Sequence, residues 1–187
     1  PVVRVVMLLA FLVNFTAYPL VSALLAYVVK DVYGLDQTGL GWMIASFAGG
    51  ALVGSIAISM YGARIRPGRT MIVFTVIWLA LNLLFSWATT PLVGETILFL
   101  AGFAQSYCMI PMAVILLRVT NPALRGCVMG VRMLAVYGLP LGLLLSGPLV
   151  QWAGLSATGT LYIAVGILFT LLLAVRWRAE LWDPAAP

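Results

Sequence analysis

The chain has 187 residues, of which 64% are hydrophobic and 8% charged, with a formal net charge of +5 and no histidine. A soluble domain carries roughly a quarter of its residues as charges, so water is not the main solvent here. Apolar runs of about 18 to 20 residues, enough to cross a hydrocarbon layer about 30 Å thick, use up nearly the whole length. The positive charge is not a nucleic-acid footprint, because the arginines are scattered between apolar runs rather than gathered on one solvated face. Two cysteines, Cys108 and Cys127, give no spaced disulfide framework and read as free thiols.

In chain order, the apolar runs predict six transmembrane helices, at roughly 5–29, 40–61, 71–88, 95–117, 129–150 and 158–175. Helices are required because lipid leaves unpaired backbone amides unsatisfied, and the alternating pattern of a barrel is absent. The first run holds Asn14, Tyr18 and Ser22 at i, i+4 and i+8, a polar face that should not look at lipid, with Pro19 beside it. The second carries a stripe of small residues, Ser46, Gly50 and Gly54, followed by a connector from Gly62 to Arg69. The third contains Trp78, the one tryptophan expected in mid-span, and ends before the short connector Thr89 to Gly94. The fourth holds Gln105, Ser106 and Tyr107, then Met109, Pro111 and Met112, and gives way to a basic connector from Val119 to Gly126. The fifth repeats the small-residue stripe as Gly138, Gly142 and Ser146, with Pro140 as a third bending point beside Pro19 and Pro111. A connector from Trp152 to Gly159 leads into the sixth, and residues 179–187 form a short tail.

Arginines fall in alternate connectors. Arg4 precedes the first run; Arg64, Arg66 and Arg69 follow the second; Arg118, Arg125 and Arg132 surround the fourth connector; Arg176 and Arg178 follow the sixth. Cytoplasmic loops hold the excess of Lys and Arg, so both termini are expected in the cytoplasm. Arg132, about a turn inside the fifth helix, is expected to snorkel outward. Trp42, Trp87 and Trp152 fall at expected outer ends, and Trp177 and Trp182 at the inner end, as an aromatic belt requires.

The first and fourth runs each carry a proline and the richest polar content, and the second and fifth each carry a small-residue stripe. Because the two triplets cross in opposite senses, this predicts an all-α fold of two inverted three-helix repeats, about 1–90 and 91–178, within one domain spanning 1–187. The stripes allow close helix contact, either inside this bundle or against a further one. The polar residues of the first and fourth runs form either an interhelical hydrogen-bond seam or a cavity wall.

Three passages resemble the major facilitator superfamily. Gly62-Ala63-Arg64-Ile65-Arg66-Pro67-Gly68-Arg69 is similar to a worn copy of its G-x-x-x-D-R/K-x-G-R-R/K loop, matching at Arg66, Gly68 and Arg69, with Ile65 in place of the aspartate. Pro122 through Gly130, with Arg125 and Gly126, resembles the P-x-x-R-G-x-x-x-G segment common in the family before the helix at this position, the fifth span here. Val136-Tyr137-Gly138-Leu139-Pro140-Leu141-Gly142 is similar to its drug and siderophore exporters.

The resemblance implies the C-terminal six-helix half of a twelve-helix secondary transporter, an efflux-type antiporter working by alternating access in a bacterial plasma membrane. Its partners would be the lipid bilayer, a small-molecule substrate, and the missing N-terminal half or a second copy. Asn14, Tyr18, Ser22, Gln105, Met109 and Met112 would line the substrate path, and if transport is proton-driven the titrating group would belong to the other half. No cofactor or metal is implied. A chain that starts at Pro1 rather than methionine is expected to be a piece of a longer protein.

Two other classes fit the sequence less well. General acid–base work needs titratable side chains near a reacting group, and every carboxylate is expected in a loop or tail, so no catalytic residues are assigned. A channel is suggested by Asn121-Pro122-Ala123, which matches the aquaporin triplet, although aquaporins need two, placed after the second and fifth spans.

Overall fold

A computed structural model describes residues 2–21, 23–62 and 65–178. Ser22, Arg64 and Trp182, together with the tail 179–187, lie outside the described residues. Every described element is helical: α1 (Val2–Thr16), α2 (Gln37–Tyr61), α3 (Pro67–Trp87), α4 (Pro91–Val119), α5 (Pro122–Ala153) and α6 (Leu155–Arg176), with short helical pieces between α1 and α2. The last five are each long and apolar enough to cross a membrane. Even α3, with 21 residues, is about 31 Å long at the usual helical rise.

The first span departs from the expected single helix. α1 stops at Thr16, Ala17 is a turn, and the chain resumes as Tyr18–Val21, Ala23–Tyr27 and a π-turn at Val28–Val32. Pro19 explains the first break, since it has no N–H for the Phe15 carbonyl and its ring crowds that oxygen. The other starts come earlier than the apolar runs suggest. Pro67 and Pro91 each occupy the first helical turn, behind the extended residues Arg66 and Thr90, where a missing N–H costs nothing and φ is already helical. Glu95 therefore lies inside α4 rather than in a connector. α2 is started by Asp36, whose carboxylate accepts from the Gly39 N–H at 3.0 Å. Between α5 and α6 the expected eight-residue connector shrinks to Gly154 alone, at φ +82°, a backbone setting natural only to glycine.

α4 is the hub, packed along α2 on one side and α3 on the other; α3 also meets α6, and α1 meets α5 and α6. Glycine makes two of these seams possible. A Cβ on Gly50 would collide with the Phe99 carbonyl oxygen of α4, and one on Gly54 would come within 2.8 Å of the Phe103 carbonyl. Across the bundle, Gly138 faces the Phe11 carbonyl and Gly142 that of Phe15. Four of the stripe residues thus bring helices of this same bundle together, and Ser146 is buried on the same face as Gly142.

The core mixes Val5, Leu9, Val13, Met71, Leu79, Met112 and Leu116 with buried Thr16, Thr75, Thr158 and Thr170. Each of those threonines donates to the carbonyl four residues back, at 2.7 to 2.8 Å, which satisfies the hydroxyl locally. The outside is apolar: Leu92, Leu144, Val175 and Met60 are at least 70% exposed, as a lipid-facing surface requires.

Candidate functional site

One polar pair joins the first and fourth spans. Gln105 of α4 donates its Nε2 hydrogen to the Tyr18 hydroxyl at 2.5 Å. The Tyr18 ring stands edge-on to the buried Trp78 of α3, with centroids 5.2 Å apart. Asn14, one turn before Tyr18, is half-buried and donates its amide to the Ala10 carbonyl at 2.8 Å. Below this cluster lies a cavity of about 460 Å³. Its walls are Ala10, Asn14 and Tyr18 from the first span, Met109 from α4, and Met129, Gly130, Arg132, Met133 and Val136 from α5. Cavities that hold drug-sized molecules fall in this size range.

The expected substrate-path residues divide accordingly. Asn14, Tyr18 and Met109 line the cavity; Gln105 does not, but fixes the Tyr18 hydroxyl. Met112 is fully buried in the core and is not part of the wall, because α4 is covered on two sides by α2 and α3 and its inward face is wider than one stripe. Neighbouring Cys108 is likewise fully buried, 3.0 Å from the Thr75 hydroxyl.

The prolines act differently. Pro19 ends α1, whereas Pro111 is buried within a continuous α4. Pro140 follows a tightened 3₁₀ stretch, Ala135–Tyr137, that divides α5.

The half of the wall built from α5 was not anticipated. Its signal was present: Met129, Arg132, Met133 and Val136 recur at helical spacing, and one of them is ionisable within an apolar run. Arg132 does not snorkel outward. Its Nη2 lies 3.9 Å from the Met109 sulfur, and Met109 is nine residues before Arg118, about 13 Å deeper along α4.

The loop residues stay outside the cavity. Arg66, Arg69, Arg125 and Gly126 are exposed, and Gly68 is buried in the first turn of α3. Asn121 caps a 3₁₀ turn, its Oδ1 accepting from the Ala123 N–H at 3.1 Å, so the Asn-Pro-Ala triplet turns the chain at an exposed end.

Long apolar helices with lipid-like outer faces, packed through glycine seams around a cavity with polar groups, define a multi-pass integral membrane protein. Residues 6–186 match the family model of the Major Facilitator Superfamily, and the chain belongs to that family of transporters. It is similar to the "Multidrug efflux pump Tap" of Mycobacterium bovis (strain BCG / Pasteur 1173P2) and of Mycobacterium tuberculosis (strain ATCC 25618 / H37Rv), 34% identical to each over 142 residues. Each alignment covers 75% of this chain and 33% of the relative. The chain thus spans about a third of the length of the curated relatives it matches. Family membership sets aside the enzyme and channel readings.

Proposed function

We propose that the chain is the C-terminal six-helix half of a twelve-helix secondary transporter that exports amphipathic small molecules by alternating access across a bacterial plasma membrane. Both ends of the chain lie in the cytoplasm, and its spans form two inverted repeats. The observation that carries the transport reading is the cavity between the first span, α4 and α5. In a transporter built on repeats, the interrupted helices at matching positions face the substrate, and α1 breaks at Pro19 beside the polar groups. Methionines at 109, 129 and 133 give the wall a soft surface suited to varied shapes, in keeping with the relatives' description as a multidrug efflux pump.

The pattern of helix contacts supports the repeat. Exchanging the first three spans with the last three turns the α2–α4 contact into α5–α1, turns α3–α4 into α6–α1, and leaves α3–α6 unchanged. In both glycine seams, two glycines four residues apart meet backbone at two phenylalanines four residues apart: Gly50 and Gly54 against Phe99 and Phe103, Gly138 and Gly142 against Phe11 and Phe15. The C-terminal assignment rests on the lost loop aspartate at Ile65.

The test uses the full-length transporter in everted vesicles loaded by its own drive. Replacing Asn14 and Gln105 together by alanine removes two hydrogen-bonding groups worth about 0.5 to 1.5 kcal/mol each. Dye uptake into the vesicles is expected to fall about tenfold or more at unchanged protein level. Unchanged transport of every substrate tried would refute the assignment.

A further inference from the structure

Among the described residues Arg132 is the one arginine in the cavity wall, and its setting is unlike that of its neighbours. Arg118 and Arg125 are exposed at the helix ends, where a guanidinium meets water and lipid headgroups. Arg132 is half-buried, with its Nη2 beside the Met109 thioether, a weak acceptor that cannot neutralise a charge. The carboxylates among the described residues are Asp31, Asp36 and Glu95. Glu95 precedes Met109 by fourteen residues on α4, about 20 Å away along the helix. Asp31 and Asp36 both precede the start of α2, the end of the bundle from which α4 also starts. Among the described residues no carboxylate stands beside Arg132; a guanidinium drawn away from water in this way is costly, and an ionisable side chain within a membrane helix marks a pathway more often than a support.

We infer that Arg132 is the anion-recognising group of this cavity, receiving a carboxylate, sulfonate or phosphate oxygen of the transported molecule. The inference rests on the transport reading above. The guanidinium fork matches such groups with two parallel hydrogen bonds. Asn14 and Tyr18 add polar surface on the facing wall, while Met109, Met129 and Met133 accept the apolar body. The ligand class is therefore an amphipathic organic anion or zwitterion, with the acidic group toward Arg132 and the aromatic or aliphatic part against methionine.

The probes are two dyes with one aromatic framework, 8-anilinonaphthalene-1-sulfonate and its uncharged parent N-phenyl-1-naphthylamine, bound to the full-length transporter in lipid nanodiscs. Wild type is expected to bind both, the sulfonate more tightly. Arg132→Gln is expected to weaken sulfonate binding about tenfold or more and to leave the parent within about twofold, and Arg132→Lys to restore part of the loss. An equal loss of both dyes in Arg132→Gln would make Arg132 a structural residue and overturn the inference. Sulfonate binding unchanged in Arg132→Gln would overturn it too, with the transport site intact. Wild type that binds neither dye would overturn both the inference and the transport reading beneath it.

Discussion

Adjacent glycines on α2 offer a sharp test of how the bundle is held. Gly49 and Gly50 differ by one helical step, yet a Cβ on Gly49 would meet only the Phe99 ring at 3.7 Å, an ordinary contact, whereas one on Gly50 would overlap the Phe99 carbonyl oxygen. The obstacle at Gly50 is helical backbone inside α4 and cannot rotate away. To accept Gly50→Ala, α2 and α4 must separate by about 1 to 2 Å, and a gap of 0.5 to 1 Å already forfeits a quarter to a half of the dispersion energy at each contact. Overpacking of this kind costs about 1 to 3 kcal/mol. The seam also contains Gly54, and Gly102 facing the Phe47 carbonyl, so the full loss should sit at the upper end. Alanine's better helix propensity, worth up to about 1 kcal/mol over glycine, offsets part of it at Gly50 and is the whole effect at Gly49. Thermal unfolding of the purified full-length protein in detergent should show Gly50→Ala clearly less stable than wild type and Gly49→Ala equal or slightly more stable. Equal midpoints for the two variants would refute the α2–α4 seam as described.

Two further outcomes follow from the ends of the helices. Cys127 is exposed and Cys108 fully buried, so a maleimide should label the segment spanning this chain at Cys127 in native protein, and at Cys108 only after denaturation. With a membrane-impermeant reagent, intact cells should remain unlabelled until permeabilised, and labelling from outside would reverse the proposed orientation. At the start of α2, the Gly39 N–H, by donating to Asp36, holds that carboxyl below its usual range. A lowered pKa in the folded state means that the contribution is present above the unfolded value and is lost as pH falls through the folded one. Asp36→Asn, which still caps, should keep stability and lose that acid dependence in unfolding curves taken from pH 6 downward; a variant as acid-sensitive as wild type would exclude the cap as its source.

The existence and order of α2 to α6 were legible because an apolar run long enough to cross a bilayer leaves a chain few alternatives. Their starts were less so. Composition cannot tell a turn proline from one in the first helical turn, and Pro67 and Pro91 proved to be the latter, moving both starts outward by four residues. Gly154 was hidden for a related reason: a single glycine at positive φ is enough to link two helices, and composition does not separate it from glycines such as Gly130 and Gly147 that lie within helices. In the site, Asn14, Tyr18 and Gln105 could be read because polar groups at helical spacing stand out against lipid-facing residues. Met112 could not be separated from Met109, since which side of α4 is core depends on the helices that cover it. Arg132 was misjudged for a physical reason. Side-chain length suggests that an arginine near a helix end reaches water, but the direction it takes is set by what it meets, and here it meets Met109.

The break at Pro19 and the Tyr18 contacts belong to one arrangement. In an unbroken helix, the orientation of residue 18 relative to residue 14 would be fixed by the backbone ladder, and moving it would mean breaking helical hydrogen bonds. Here Ala17 is a turn, Pro19 offers no N–H, and Tyr18 opens a separate short segment. The position of the Tyr18 ring is set in part by α4, through Gln105, and by α3, through Trp78. A side-chain hydrogen bond contributes about 0.5 to 1.5 kcal/mol net, close to thermal energy, while the glycine seams behind it are held by backbone contact along α2–α4 and α1–α5. In the proposed rocking cycle, the cavity wall can therefore change shape at the Pro19 joint while the bundle that carries it moves as a rigid body.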